Sequence, residues 1–287
     1  MSLRLSCADS TFPKLSHSAS LTVIKDLGFA AADVCSFTGY PHTPPELVMA
    51  DPGAAADAVR ERLDRLELEV SDVFMIVGGS FQEYAPNHPD RAVRDQAFEQ
   101  FELFVEFARR LRAPGLTILP GTVFEEAGEQ ASLELAAAEL NRRAQTAGEA
   151  GLRLAFEPHY GSVAETPGPA LELVERTPDV GFALDYSHFV YQGIPPEEVD
   201  PLLARTHHFH ARQAAPGVIQ ARTNEGVIDF VRIRDALLGM GYDGYFAVEY
   251  QWEDGWLDFS RVDCIAETAD TRAVLLNGTA AERGESA

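Results

Sequence analysis

Three cysteines stand in the 287-residue chain, at positions 7, 35 and 264, and none forms a CxxC. That argues against a disulfide framework and a thiolate zinc site. Cys7 and Cys35 lie in apolar stretches and read as small buried residues. Lysine is scarcer still. Lys25 falls on a predicted helix and Lys14 in a loop, and there is no third, so no strand offers a Schiff-base lysine. No apolar run reaches the ~18 residues of a membrane helix. The first residues, MSLRLSCADSTF, lack the apolar core of a secretory signal, so the expected location is the cytoplasm. Positive charge is sparse. The 23 bases face 45 acids, for a formal net charge of −22. Such a surface repels phosphate backbones and anionic bilayers, which argues against nucleic-acid and membrane partners. It leaves homo-oligomerisation open. The chain also has no GxxxxGK[ST], no HExxH and no GxSxG, so the phosphate-cradling loop, the helical zinc pair and the nucleophile elbow are missing.

What is present is an alternation. Short apolar runs cover Leu3–Cys7, Ala31–Phe37, Val70–Val77, Leu116–Leu119, Leu152–Glu157, Val180–Asp185, His207–His210 and Tyr245–Glu249. Helical patterns lie between and after them, at Ser16–Leu27, Pro52–Leu66, Ala92–Leu111, Gln130–Ala150, Gly168–Arg176, Glu197–Ala204, Ile228–Met240 and Arg261–Leu276. The second opens with Asp51 as N-cap and Pro52 at the first helical position. Eight βα units in this length predict a single-domain (β/α)8 TIM barrel over residues 1–277, with an open doubly wound sheet as the runner-up. The small, polar segment 278–287 is expected to be a disordered tail.

Barrel enzymes place their chemistry at the C-terminal strand ends. Strand five ends Phe156-Glu157-Pro158-His159, strand six Leu184-Asp185-Tyr186-Ser187-His188, strand seven runs His208-Phe209-His210-Ala211-Arg212, and strand eight ends Val248-Glu249-Tyr250-Gln251. Side chains alternate along a strand. Glu157 with His159, His208 with His210 and Arg212, and Glu249 with Gln251 therefore share a face. His188 is out of phase with Asp185 and belongs in the following loop. Each position alone has a bland reading, as a solvated or helix-capping acid or a satisfied core histidine. Together they bring three carboxylates and a histidine to one mouth. Crowded carboxylates resist ionisation unless a cation neutralises them. A mixed oxygen and nitrogen set suits Mn2+, Mg2+ or Co2+, with Zn2+ as a further option.

Other signals are weaker. Gly239-Met240-Gly241-Tyr242-Asp243-Gly244 matches GxGxxG, but a helix precedes it and a strand follows, so it reads as a helix C-cap and loop rather than a dinucleotide site. His17 and His42 have no partner at metal spacing and are expected at the surface. Phe12, Tyr40, His42, Phe81, Tyr84 and His88 follow the first three strands and are candidates for the pocket wall, with loop packing as the alternative.

The motifs FEPHYGS (156–162), LDYSH (184–188), HFHAR (208–212) with EGVIDF (225–230), and FAVEY (246–250) resemble the xylose-isomerase-like TIM barrels, in particular the sugar phosphate isomerase/epimerase group. The resemblance covers nearly the whole chain and is similar in pattern to the ketose 3-epimerases. It implies one divalent metal, Mn2+ first, held by Glu157, Asp185, His210 and Glu249. Glu157 and Glu249 would double as acid and base. His188 and Arg212 would contact sugar oxygens, and His159, on the same face as Glu157, joins them as a substrate-binding residue. Arg212 stands closer to His210 than in many ketose epimerases, which makes Arg222 a rival.

The implied activity is a metal-dependent sugar isomerase or epimerase that moves a proton α to a carbonyl through an enediolate. No basic cluster would hold a sugar phosphate, so a neutral sugar or polyol derivative is the expected partner. A lyase or deglycosylase acting on an oxidised sugar is the alternative. An AP-endonuclease-like hydrolase ranks lower: that family needs further histidines on strands two and three, and those strands have none. A non-catalytic sugar-binding barrel would not need two glutamates.

Overall fold

The computed structural model describes residues 3–252 and 262–277. The tail 278–287 and residue 261, where the last helix is predicted to begin, lie outside the described residues.

Strands β1 (Leu5–Ala8), β2 (Ala31–Phe37), β3 (Glu69–Ile76), β4 (Gly115–Ile118), β5 (Arg153–Phe156), β6 (Val180–Asp185), β7 (Thr206–Ala211) and β8 (Phe246–Val248) pair in sequence order, and β1 also pairs with β8 to close the barrel. Every pairing is parallel. The protein is a closed (β/α)8 barrel, as its alternation predicts, and the open sheet is excluded. Helices α1 (His17–Asp26), α2 (Pro45–Ala50), α3 (Pro52–Arg65), α4 (Arg91–Leu111), α5 (Glu129–Glu149), α6 (Pro167–Glu175), α7 (Ser187–Tyr191), α8 (Pro196–Val199), α9 (Phe230–Gly239) and α10 (Cys264–Asn277) connect and cover the strands.

Local chemistry accounts for the boundaries. Asp51 Oδ1 accepts from the Ala54 amide at 2.9 Å, and Pro52 opens α3. Asp90 Oδ1 accepts from Ala92 to start α4, whose Phe98, Phe101, Phe104 and Phe107 are all buried at helical spacing. The Gly239–Gly244 segment ends α9, and Gly241 takes φ +87° there, a conformation that favours glycine. The predicted helix 197–204 is instead a short α8 followed by a 3-10 turn, Asp200–Arg205, with Pro201 in its first turn. Two short helices escaped the periodic pattern. α2 is shorter than two turns, and α7 starts where Asp185 Oδ1 accepts from the Ser187 amide at 2.8 Å. No helix among the described residues is long and apolar enough to cross a membrane.

His17 and His42 are not at the surface. Both are 7 % exposed. His17 Nε2 lies 3.0 Å from Asp9 Oδ2, His42 Nε2 is 3.0 Å from Leu15 O, and their rings stack at 5.0 Å. The loops after β1 and β2 fold against each other and enclose them.

Candidate active site

Two register shifts shape the barrel floor. Between β2 and β3, Ala32 pairs with Val70 but Asp33 with Asp72. Between β6 and β7, Phe182 pairs with Thr206 but Ala183 with His208. Ser71 and His207 are the extra residues. A bulge re-aims side chains that alternation would send elsewhere. Ser71 Oγ donates to Asp33 Oδ1, and Thr117 Oγ1 donates to Asp72 Oδ2 at 2.5 Å. The His207 ring packs over Gly181, where a Cβ would lie 2.3 Å from it, with its Nδ1 3.1 Å from Leu154 O.

Above this floor, Glu157 stands one residue past β5, its amide tied to Ile118 O at 3.0 Å. Glu249 stands one past β8, its amide tied to Ala211 O at 3.2 Å. The two carboxylates meet at one nitrogen. His210 Nδ1 is 2.9 Å from Glu157 Oε1 and 3.2 Å from Glu249 Oε2. All three side chains are buried. Asp185 is engaged otherwise. Its Oδ1 accepts from Ser187 N–H and its Oδ2 from Arg212 Nη2 at 2.6 Å. Arg212 also donates to Ser187 Oγ at 2.9 Å.

His188, in the first turn of α7, places Nε2 3.6 Å from Glu157 Oε2 and 3.7 Å from Asp185 Oδ2, while its buried Nδ1 has no hydrogen-bond partner. The His159 ring centre is 3.8 Å from that of His188, and its Nδ1 is 2.6 Å from Tyr160 O. Of the rival arginines, Arg212 lines the cavity. Arg222 is more than half exposed and pairs with Glu225.

These groups open on a cavity of about 460 Å3. Glu157, His159, His188, Arg212, Glu249 and Gln251 make its polar side, and Phe37, Tyr40, Phe74, Ile76 and Phe81 supply apolar wall. Tyr40 and Phe81 are therefore wall residues. Among the described residues, Phe12, His42, Tyr84 and His88 do not line this cavity. Tyr84 lines a smaller hollow behind the same loop. Tyr40 Oη donates to Gln251 Oε1 at 3.1 Å, and Gln251 Nε2 donates to Glu249 Oε1 at 3.2 Å.

The model of the xylose isomerase-like TIM barrel family matches residues 21–272. The chain belongs to that family. No curated protein matches the sequence. Among solved structures, the chain is similar to an L-ribulose 3-epimerase (TM-score 0.75, 18% identity, 98% of this chain and 96% of that one). It is also similar to a D-tagatose 3-epimerase-like protein (0.72, 18%, 95% and 98%). A third is a xylose isomerase-like TIM barrel protein from Mycobacterium smegmatis in complex with magnesium (0.70, 15%, 96% and 97%). At these identities the likeness is one of fold.

In this family member the electrostatics of the site follow from burial and pairing. Burial penalises the ionised form of both glutamates. For Glu249 it prevails and raises the pKa. For Glu157 the His210 hydrogen bond and charge outweigh it and lower the pKa. Burial opposes charge on His210 as well, but Glu249, Asp33 and Glu157 together raise its pKa well above the ordinary value. His188 is pushed well below its ordinary value by burial, then by the His159, Arg212 and His210 charges. One donor atom from each of Glu157, His210 and Glu249 lies within 4.8 Å of the other two, so this set can hold a divalent ion. Asp33 with His208 and His210, and Glu157 with His159 and His188, form two further groups of that compactness. The resemblance to ketose epimerases pointed to none of Asp33, Ser71 or Asp72. Their one signal in the sequence is an acid inside the apolar run AADVCSF, and another after Ser71 in EVSDVFMI.

Proposed function

We propose that the protein is a divalent-metal-dependent sugar isomerase or epimerase that moves a proton α to a carbonyl, with Glu157 and Glu249 as acid and base. The observation that carries this reading is the meeting of two buried carboxylates at His210 Nδ1, at 2.9 and 3.2 Å, on the polar side of the cavity. Binding alone needs no such pair.

The ion, manganese by preference and magnesium, cobalt or zinc otherwise, would be held by Glu157, His210 and Glu249, with Asp185 shared between it and Arg212. It would stabilise negative charge developing on adjacent substrate oxygens. The chain's own groups do the rest. One glutamate removes the α-proton as a positioned base, and the C–H electrons move toward the carbonyl oxygen to give an enediolate. The other glutamate, reaching the cavity from a strand three positions round the barrel, returns a proton. Return to the same carbon from the other face gives the epimer, and return to the neighbouring carbon interconverts aldose and ketose. His188, Arg212 and His159 would bind and orient sugar oxygens. The aromatic wall would exclude water.

The test is proton exchange. Metal-loaded protein is incubated with a panel of ketoses and keto-sugars in D2O and followed by NMR. Loss of one C–H signal with appearance of the epimer or isomer supports the reading. Loss of a substituent after exchange makes the protein a lyase. A sugar that binds without exchanging any proton sinks the enediolate chemistry.

A further inference from the structure

Below the two glutamates, the barrel axis carries a carboxylate where branched aliphatic layers are usual. Asp33 is 1 % exposed and does not line the cavity. Its Oδ2 lies 2.8 Å from His208 Nε2 and 3.5 Å from His210 Nε2. Its Oδ1 accepts from Ser71 Oγ and, at 3.4 Å, from Ser6 Oγ. A buried carboxylate is costly unless donors surround it, and the proton transfers described above make no use of it.

Its position relative to His210 supplies a use. A neutral imidazole carries its proton on one nitrogen and a lone pair on the other. Glu157 and Glu249 both face Nδ1. Left to themselves they would draw the proton there and leave no lone pair toward the cavity. An acceptor on the Nε2 side reverses that preference. We propose that Asp33 is a positioning residue that keeps the His210 proton on Nε2, so that Nδ1 presents its lone pair to a cation between Glu157 and Glu249. His208 takes the shorter contact with the same oxygen and, with its ring perpendicular to that of His210 at 5.1 Å, walls the imidazole from below. Phe74 packs on it at 5.7 Å. Carboxylates behind ligating histidines fix tautomer and ring orientation in just this way.

The inference rests on the metal-dependent reading, and the test separates the two. Full-length protein is stripped of metal, and Mn2+ affinity is measured by chelator competition for wild type, Asp33→Asn and Ser71→Ala. The tautomer of His210 is read from long-range 1H–15N spectra of the Zn2+-loaded wild type. Expected are a protonated Nε2 in wild type and a Kd about 10–100-fold weaker in Asp33→Asn. Ser71→Ala, which removes a hydrogen bond to the carboxylate but keeps its charge, should stay close to wild type. An unprotonated Nε2 in wild type, or wild-type Mn2+ affinity in Asp33→Asn, overturns the role of Asp33 alone. A wild type that takes up no metal overturns both readings. Where Asp33→Asn does not fold, an unprotonated Nε2 in the wild type still overturns the proposal.

Discussion

Arg212 donates to Asp185 Oδ2 across 2.6 Å with both side chains almost fully buried. Burial opposes charge on Arg212, yet Asp185, Glu249 and Glu157 together raise its pKa, so the guanidinium is the internal counter-charge of the acidic mouth. Removing one partner of such a pair costs about 3–5 kcal/mol. Arg212→Met should therefore lower the denaturant midpoint strongly in metal-free protein. Excess Mn2+ should restore part of the loss, since the ion would neutralise the same carboxylates. A midpoint deficit that ignores Mn2+ would remove Asp185 from the cation's surroundings.

The two glutamates predict a paired loss. Positioned acid–base groups contribute about 10²–10⁴-fold. Glu157→Gln and Glu249→Gln should each slow C–H exchange of a bound sugar by that order, and the double variant should be little worse than the poorer single one. Single-turnover exchange in D2O reads this directly. Independent, additive losses would mean that removal and return of the proton are not coupled steps of one reaction.

Asp72 makes a pH prediction away from the mouth. Burial raises its carboxyl to about 6 from an ordinary 3.8. The folded state then binds more protons than the unfolded chain between those values, so this group's contribution to stability falls as pH rises from about 4 to 6. The size is about 3 kcal/mol. In Asp72→Asn that contribution is absent. The stability of the variant relative to wild type should rise by this amount between pH 4 and pH 7, measured by urea unfolding. A pH-independent difference would show that Asp72 ionises normally.

Two glycines separate space from backbone. At Gly115 a Cβ would lie 2.8 Å from Asp72 Oδ1 and 2.9 Å from the Arg153 carbonyl. Gly115→Ala should therefore cost about 1–3 kcal/mol. Gly148 lies in α5 with nothing within 4 Å of the added atom, so Gly148→Ala should gain about 0.5–1 kcal/mol. Thermal melts of the two variants should move in opposite directions.

Much of the barrel was legible because its signals are local. β2 and β6 have the bounds their apolar runs predict, and the i, i+2 alternation correctly turned His208, His210 and Arg212 to one side and set His188 past the strand. Asp185 was legible as an acid at the end of an apolar strand, but its partner Arg212 was not. Arg212 lies 27 residues away, and choosing it over Arg222 depends on which loop reaches solvent. The burial of His17 and His42 was missed for the same reason. Asp9 and Leu15 hold them only after two loops have packed together.

The sequence by itself determined the (β/α)8 count, the inward phase of the polar residues on strands five, seven and eight, and the net charge of −22, because periodicity and charge need no knowledge of neighbours. Only the tertiary structure decided that Ser71 and His207 are bulge residues, that Asp33 sits behind His210, and that Glu157 and Glu249 share one imidazole nitrogen. Closing the barrel sets register between strands far apart in the chain. A one-residue shift there exchanges the faces of a strand, and no pattern within a single strand records it.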